Sequence, residues 1–186
     1  QIEHALSRHR SKITIIYNHE RKGKAASLNN TVNKIESDYI LFLDNDILLP
    51  DDDHFIDKVV KEFDNHDLIE LPKEAISKTL ISNMMACEFL SFAINCYTFS
   101  KITNRCPSMN GAAFAIKRKL FLELKGFNYV INEDMDLASR AFLQNARYSY
   151  NPKLKVYNEV PKNLHEWLNQ RKRWAINNVL WLKKTC

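Results

Sequence analysis

The sequence has 186 residues, 45% of them hydrophobic, which is enough for one well-packed domain and too little for two ordinary ones. Its 27 basic and 22 acidic side chains leave a formal charge of +5, a mild excess that favours polyanionic partners without choosing among nucleotide diphosphates, anionic lipid and nucleic acid. The four cysteines form no C-x-x-C pair and no His stands at zinc spacing, so a zinc module is excluded and free thiols in a reducing compartment are expected.

The sequence begins with Gln1 rather than Met, in what reads as the end of a helix, and no secretory signal is visible. The expectation is an excerpt of a longer protein, with residues 1–186 forming a single, partial domain. Residues 12–17 (K-I-T-I-I-Y) are β-branched and aromatic and predict a strand. Residues 24–35 follow as a helix with Ala25, Leu28, Val32 and Ile35 on one stripe. The run Y-I-L-F-L (39–43) predicts a strand buried on both faces, ending in Asp44-Asn45-Asp46. Residues 51–63 predict a helix opened by acidic residues, and 68–71 a short strand.

Ile81, Met85, Phe89, Phe92, Cys96 and Phe99 form an apolar stripe at helical spacing. Lys78, Asn83, Glu88 and Asn95 make residues 76–99 a poor membrane span. Residues 112–116 predict a strand, and 133–145 a helix with Leu137, Ala141 and Phe142 inward and Asn132 as its N-cap. A short strand at 154–157 precedes a long helix at 163–184, with Leu164, Leu168, Ala175, Val179 and Leu182 on one face. Strands alternating with helices predict an α/β sheet, largely parallel.

The chemistry concentrates in a few places. Two carboxylates one residue apart, Asp44 and Asp46, end a buried strand, where ligands of α/β sheets bind; they can hold a hard divalent cation, or merely form a polar turn. Glu133 and Asp134 open a helix, either as favourable partners of its dipole or with one of them as a general base. On the last helix Gln170, Arg173, Trp174 and Asn177 share a face, with Trp167 and Trp181 close by. That face offers a guanidinium for a diphosphate and an indole for a sugar ring; the competing reading is a helix at a membrane surface, marked by its three Trp residues. Lys24, in the basic segment 19–24, can attract phosphate or simply be solvated.

Together these residues resemble the processive-type family 2 glycosyltransferases, the group that includes cellulose and hyaluronan synthases. The resemblance rests on K-G-K-A-A-S-L-N (22–29), Y-I-L-F-L-D-N-D (39–46), N-G-A-A-F-A-I-K-R (110–118), K-G-F-N (125–128), N-E-D-M-D-L (132–137) and Q-R-K-R-W (170–174), in family order. It implies a GT-A, Rossmann-like fold: a mostly parallel sheet flanked by helices, here N-terminally incomplete because the family's first strand and its D-D-x-S segment have no counterpart. It also implies an inverting transfer from a nucleotide-sugar, most readily a UDP-sugar, to a saccharide or lipid-linked acceptor. Carried over, Asp46 ligates Mg²⁺ or Mn²⁺, with Asp44 at the metal or the ribose. Asp134 is the general base and Glu133 supports it. Gln170 and Arg173 hold the diphosphate, Trp174 stacks on the acceptor sugar, and Lys24 lies on the phosphate side. The F-F-C-G-type motif of cellulose synthases is replaced by residues 106–110, C-P-S-M-N.

The expected setting is the cytoplasmic face of a membrane, with no nucleic-acid partner. The alternatives are a non-catalytic binding module on the same fold and a basic protein of the membrane surface.

Overall fold

The computed structural model describes residues 14–76 and 79–185. In chain order these form α1 (Lys24–Val32), β1 (Tyr39–Leu43), β2 (Ile47–Leu48), α2 (Phe55–Glu62), β3 (Leu68–Glu70), β4 (Lys73–Ala75), α3 (Leu80–Thr103), β5 (Ala113–Lys117), α4 (Arg118–Glu123), α5 (Glu133–Leu143), β6 (Tyr148–Tyr150), β7 (Val156–Asn158) and α6 (Leu164–Thr185).

The main sheet has the order β1-β5-β3-β6. β1, β3 and β6 run one way, but β5 lies between β1 and β3 and runs against both, so only the β3–β6 ladder is parallel and the sheet is mixed rather than largely parallel. A second sheet, β2-β7-β4, extends from the turn after β1. Two apolar clusters cover the two faces of the main sheet because side chains alternate along each strand. On β5, Phe114 and Ile116 enter the cluster with Phe42, Leu68, Phe121, Phe127, Leu137 and Tyr148, against α1, α4 and α5. Ala113 and Ala115 enter the opposite cluster with Ile69, Leu71, Val156 and the α2 residues Phe55 and Val59. Phe42 and Phe114 are register partners and stack at 4.9 Å, with Phe127 set edge-on to Phe42 at 5.3 Å. Truncating one such buried ring to Ala costs about 3–5 kcal/mol.

Several local expectations are corrected. Residues 14–17 form no strand; residues 12–13 lie outside the described part. A β-branched run becomes a strand only with a ladder to join, and among the described residues none pairs with this one. Among the described residues β1 is a sheet edge, and only one of its faces is well covered: Ile40 and Phe42 are buried while Tyr39 and Leu43 on the other face are exposed. The acidic residues 51–53 precede α2 in a turn, where the Asp52 carboxylate accepts from the His54 N–H and pairs with Lys58. α1 ends at Val32, and Phe99 on α3 stays 40% exposed.

The largest difference concerns α6. Leu164, Leu168, Val179 and Leu182 are exposed, whereas Trp167, Gln170, Arg171, Asn177 and Trp181 face inward and are half-buried. The aliphatic side of this helix points away from the core, and its polar and indole side packs on the protein. Among the described residues, no helix is long and apolar enough to cross a membrane. Three cysteines, Cys87, Cys96 and Cys106, are free thiols, and Cys186 lies outside the described residues.

Candidate active site

The site grows from the end of β1. The antiparallel register places Leu43 opposite Ala113, so the next residue, Asp44, donates its backbone N–H to the Ala112 carbonyl at 2.8 Å. Asp44-Asn45-Asp46 then turns into β2, with the Ile47 N–H bonded to the Asp44 carbonyl. The Asp46 carbonyl is fixed from β7, accepting from the Glu159 N–H at 2.9 Å and from the Asn158 amide at 3.2 Å. The chain entering β5, residues 110–112, therefore lies beside the two aspartates, although 64 or more residues separate them in sequence.

Asp134 reaches the same place from the first turn of α5. One carboxylate oxygen accepts from the Gly111 N–H at 2.8 Å and the other from its neighbour, the Met135 N–H, at 2.8 Å. The approach requires glycine: a Cβ on Gly111 would stand 2.3 Å from the Asp134 Cβ. Asn132 does not cap α5. It adopts a left-handed conformation without a side-chain cap bond, and its amide instead donates to Asn178 on α6 at 2.6 Å. Arg140, farther along α5, binds Asp136, the Gly126 carbonyl at 2.9 Å and the Leu124 carbonyl, which fastens the helix to the turn after α4.

Lys24 comes in from the start of α1. Its ammonium lies 2.7 Å from Asp44 and 3.6 Å from Glu133. Burial works to lower its pKa, but Asp44, followed by Glu133 and Asp134, outweighs it and holds the group above its ordinary value. α1 is itself clamped to the far turn, where the Asn29 amide donates to the Phe127 carbonyl at 2.8 Å and accepts from the Phe127 N–H at 2.9 Å.

α6 roofs the site. A cavity of about 370 Å³ is lined by Asp44, Asp46, Asp134, Gln170, Arg173 and Trp174 together. Lys24 and Glu133 lie just beyond it, in a small adjoining pocket that shares Asp44 and Asp134. Arg171 anchors the roof to α3 through Glu88 and Met85, and its guanidinium lies 4.2 Å from the Trp174 ring centroid. All eight candidate residues thus converge on one place.

Lys73, at the start of β4, lines the cavity as well. Burial pushes its ammonium down to about 8, although Glu70, Asp134, Asp46 and Asp44 oppose the shift. Glu70 is fully buried, which raises its carboxyl to about 8 despite the hydrogen bond donated by the Tyr148 hydroxyl at 2.5 Å. Lys73, Gly111, Asn29, Arg140 and Arg171 were not singled out as site residues from the sequence. Asn29, Gly111 and Arg171 stood inside quoted motifs, while a lone lysine after Pro72 carries no signal.

Among the described residues, no three His, Cys, Asp or Glu side chains cluster as a cation cage. The donor set instead suits a cation that takes one or two carboxylates and completes its shell with phosphate oxygens and water. Asp46 fits that use, because its Oδ1 is buried in the cavity without a hydrogen-bond partner. A buried carboxylate oxygen left unpaired is costly unless something binds it. The Gln170 Oε1 is buried and unpaired on the same cavity wall.

Residues 39–185 match the sequence profile of the family described as Glycosyl transferase family group 2. The chain belongs to that family. A 76-residue stretch, 40% of this chain, is 36% identical to the probable glucomannan 4-beta-mannosyltransferase 14 of Arabidopsis thaliana and spans 14% of its length. The structure also superposes on the mannosyltransferase PcManGT from Pyrobaculum calidifontis, solved in complex with GDP-Man and Mn²⁺, with a TM-score of 0.75. That match covers 99% of this chain and 50% of the other at 23% identity, a likeness of fold. The expected GT-A architecture of the family 2 enzymes is therefore the observed one.

Proposed function

We propose that this chain carries the catalytic centre of an inverting transfer, which moves a sugar from a nucleoside-diphosphate sugar to an acceptor hydroxyl. The observation that supports it is the single cavity shared by Asp44, Asp46, Asp134, Gln170, Arg173 and Trp174. In the reaction, the acceptor oxygen bonds to the anomeric carbon as the bond from that carbon to the diphosphate breaks. The bonding pair leaves on the nucleoside diphosphate, and the acceptor proton goes to Asp134. Two backbone N–H donors fix the Asp134 carboxylate, and Glu133, one residue earlier, keeps Lys24 near the phosphate side. Arg173 binds the diphosphate, with Gln170 beside it, and Trp174 offers its ring to the acceptor sugar. Mg²⁺ or Mn²⁺ held by Asp46 and Asp44 neutralises phosphate charge when bound.

Both relatives are named mannosyltransferases, and one was solved with GDP-Man, so GDP-mannose is the first donor to test and a UDP-sugar the second. The working position proposed is the cytoplasmic face of a membrane; the exposed aliphatic face of α6 supports contact with a lipid surface. That face is more exposed than Trp167 and Trp181, which are half-buried.

The test is release of nucleoside diphosphate from a donor panel in the presence of Mn²⁺ or Mg²⁺, with the product's anomeric configuration read by NMR. Asp134→Asn is expected to lower turnover by about 10²–10⁴-fold with an unchanged circular dichroism spectrum. Unchanged turnover in this variant refutes the base assignment. Donor binding without turnover in the native chain supports the binding-module alternative instead.

A further inference from the structure

A second cavity of about 350 Å³ lies between α3 and β4, with Tyr150 at the end of β6 also on its wall. Its walls are Ala86, Leu90, Ala93 and Ile94 of α3, with Tyr97 and Pro152 at the outer end. Lys73 and Phe89 line both this trough and the catalytic cavity, so the two spaces adjoin there. The Lys73 ammonium lies 4.9 Å from the Phe89 ring centroid, at the junction. Glu74 and Lys155 form an ion pair of 3.5 Å on the trough's rim and offset each other.

We propose that this trough holds the aliphatic tail of the acceptor, joined at Lys73 through a phosphate-type anionic link to a sugar that lies beneath Trp174. The inference rests on the functional reading above and names the acceptor class for that site. A saccharide chain leaving the catalytic cavity needs hydrogen-bonding groups all along its path. Along this path the aliphatic Ala86, Leu90, Ala93 and Ile94 alternate with the rings of Phe89, Tyr97 and Tyr150. Its charged groups are Lys73 at the junction and the mutually paired Glu74 and Lys155 on the rim. A wall with so few free polar groups, with Leu90 and Ile94 exposed along it, suits a hydrocarbon. Among the described residues, Lys73 is the cation that lines both cavities, and it stands where tail and head must meet. Lys73 is drawn to Glu70 and to the three aspartates of the catalytic cavity, so the link competes with carboxylates for its charge.

The test titrates the chain with ethyl, hexyl and decyl phosphate and with decanol, following tryptophan fluorescence below micelle-forming concentrations. Affinity should rise about fourfold per methylene buried, until the trough is filled. Decyl phosphate should bind at least tenfold tighter than decanol, and Lys73→Met should remove that difference. Leu90→Glu, an exposed position that leaves the fold intact, and Ala93→Phe, which fills the trough, should flatten the dependence on chain length. Affinity independent of chain length, equal binding of decanol, or a chain-length gain that survives both trough variants overturns the proposal. The last outcome would place alkyl binding elsewhere, with the exposed face of α6 the next surface to test. Donor consumption measured on the same preparation separates the two readings. Intact consumption with no chain-length dependence removes only the lipid-tail inference, whereas absent consumption removes the enzyme reading.

Discussion

Replacing Gly111 with Ala probes the geometry on which the catalytic assignment depends. The added methyl would stand 2.3 Å from the Asp134 Cβ and 2.6 Å from its Oδ2. Ordinary contact begins near 3.4 Å, so β5 and the first turn of α5 must part by roughly 1 Å. The same movement stretches the 2.8 Å hydrogen bond from the Gly111 N–H. Misplacing a catalytic group by about 1 Å costs on the order of 10²-fold, so kcat should fall by about that factor with a smaller change in donor KM. Overpacking should cost about 1–3 kcal/mol, a Tm loss of roughly 2–12 °C for a chain of this size. Steady-state kinetics and thermal unfolding on one preparation measure both. The clash is with the Asp134 side chain, so Gly111→Ala placed on Asp134→Gly should lose little further stability. Wild-type kcat in Gly111→Ala, or an undiminished stability loss in the double variant, refutes the argument.

Removing divalent metal with EDTA should stop transfer, and added Mn²⁺ or Mg²⁺ should restore it; full turnover in excess chelator removes the role given to Asp46. Asn29→Ala deletes the two-bond clamp on Phe127 and leaves a half-buried N–H and C=O without those partners, at a cost of about 2–4 kcal/mol by urea unfolding; a loss below about 0.5 kcal/mol would show the clamp to be dispensable. Asp67 pairs with Arg147 and Lys117 at the start of β3. Burial works to raise its pKa, but hydrogen bonds from these two cations outweigh it and hold the carboxyl well below the usual carboxylate range. Its folded pKa is depressed, so its contribution is complete above the unfolded value near 4 and is lost as pH falls below that. Asp67→Asn should therefore lower Tm at pH 7 and flatten the acid limb of the Tm–pH curve; an acid limb identical to wild type's contradicts this.

What the sequence by itself determined is local. The run Y-I-L-F-L had to be a strand, and the acids after it had to stand at that strand's end. Glu133-Asp134 had to open a helix, and Gln170, Arg173 and Trp174 had to share one side of the last helix, because helical and strand periods fix which side chains are neighbours. Which way those faces turn was decided only by the tertiary structure. β5 runs antiparallel beside β1, and this brings Gly111 and Asp134 to Asp44. α6 shows its leucines outward and its Gln-Arg-Trp side to the cavity, the reverse of what hydrophobicity alone predicts. Lys73 enters the site from a strand whose sequence carries no sign of it. A helix stripe or an alternating strand specifies a face, while the partner that covers the face depends on strand direction and on contacts between residues far apart in the chain.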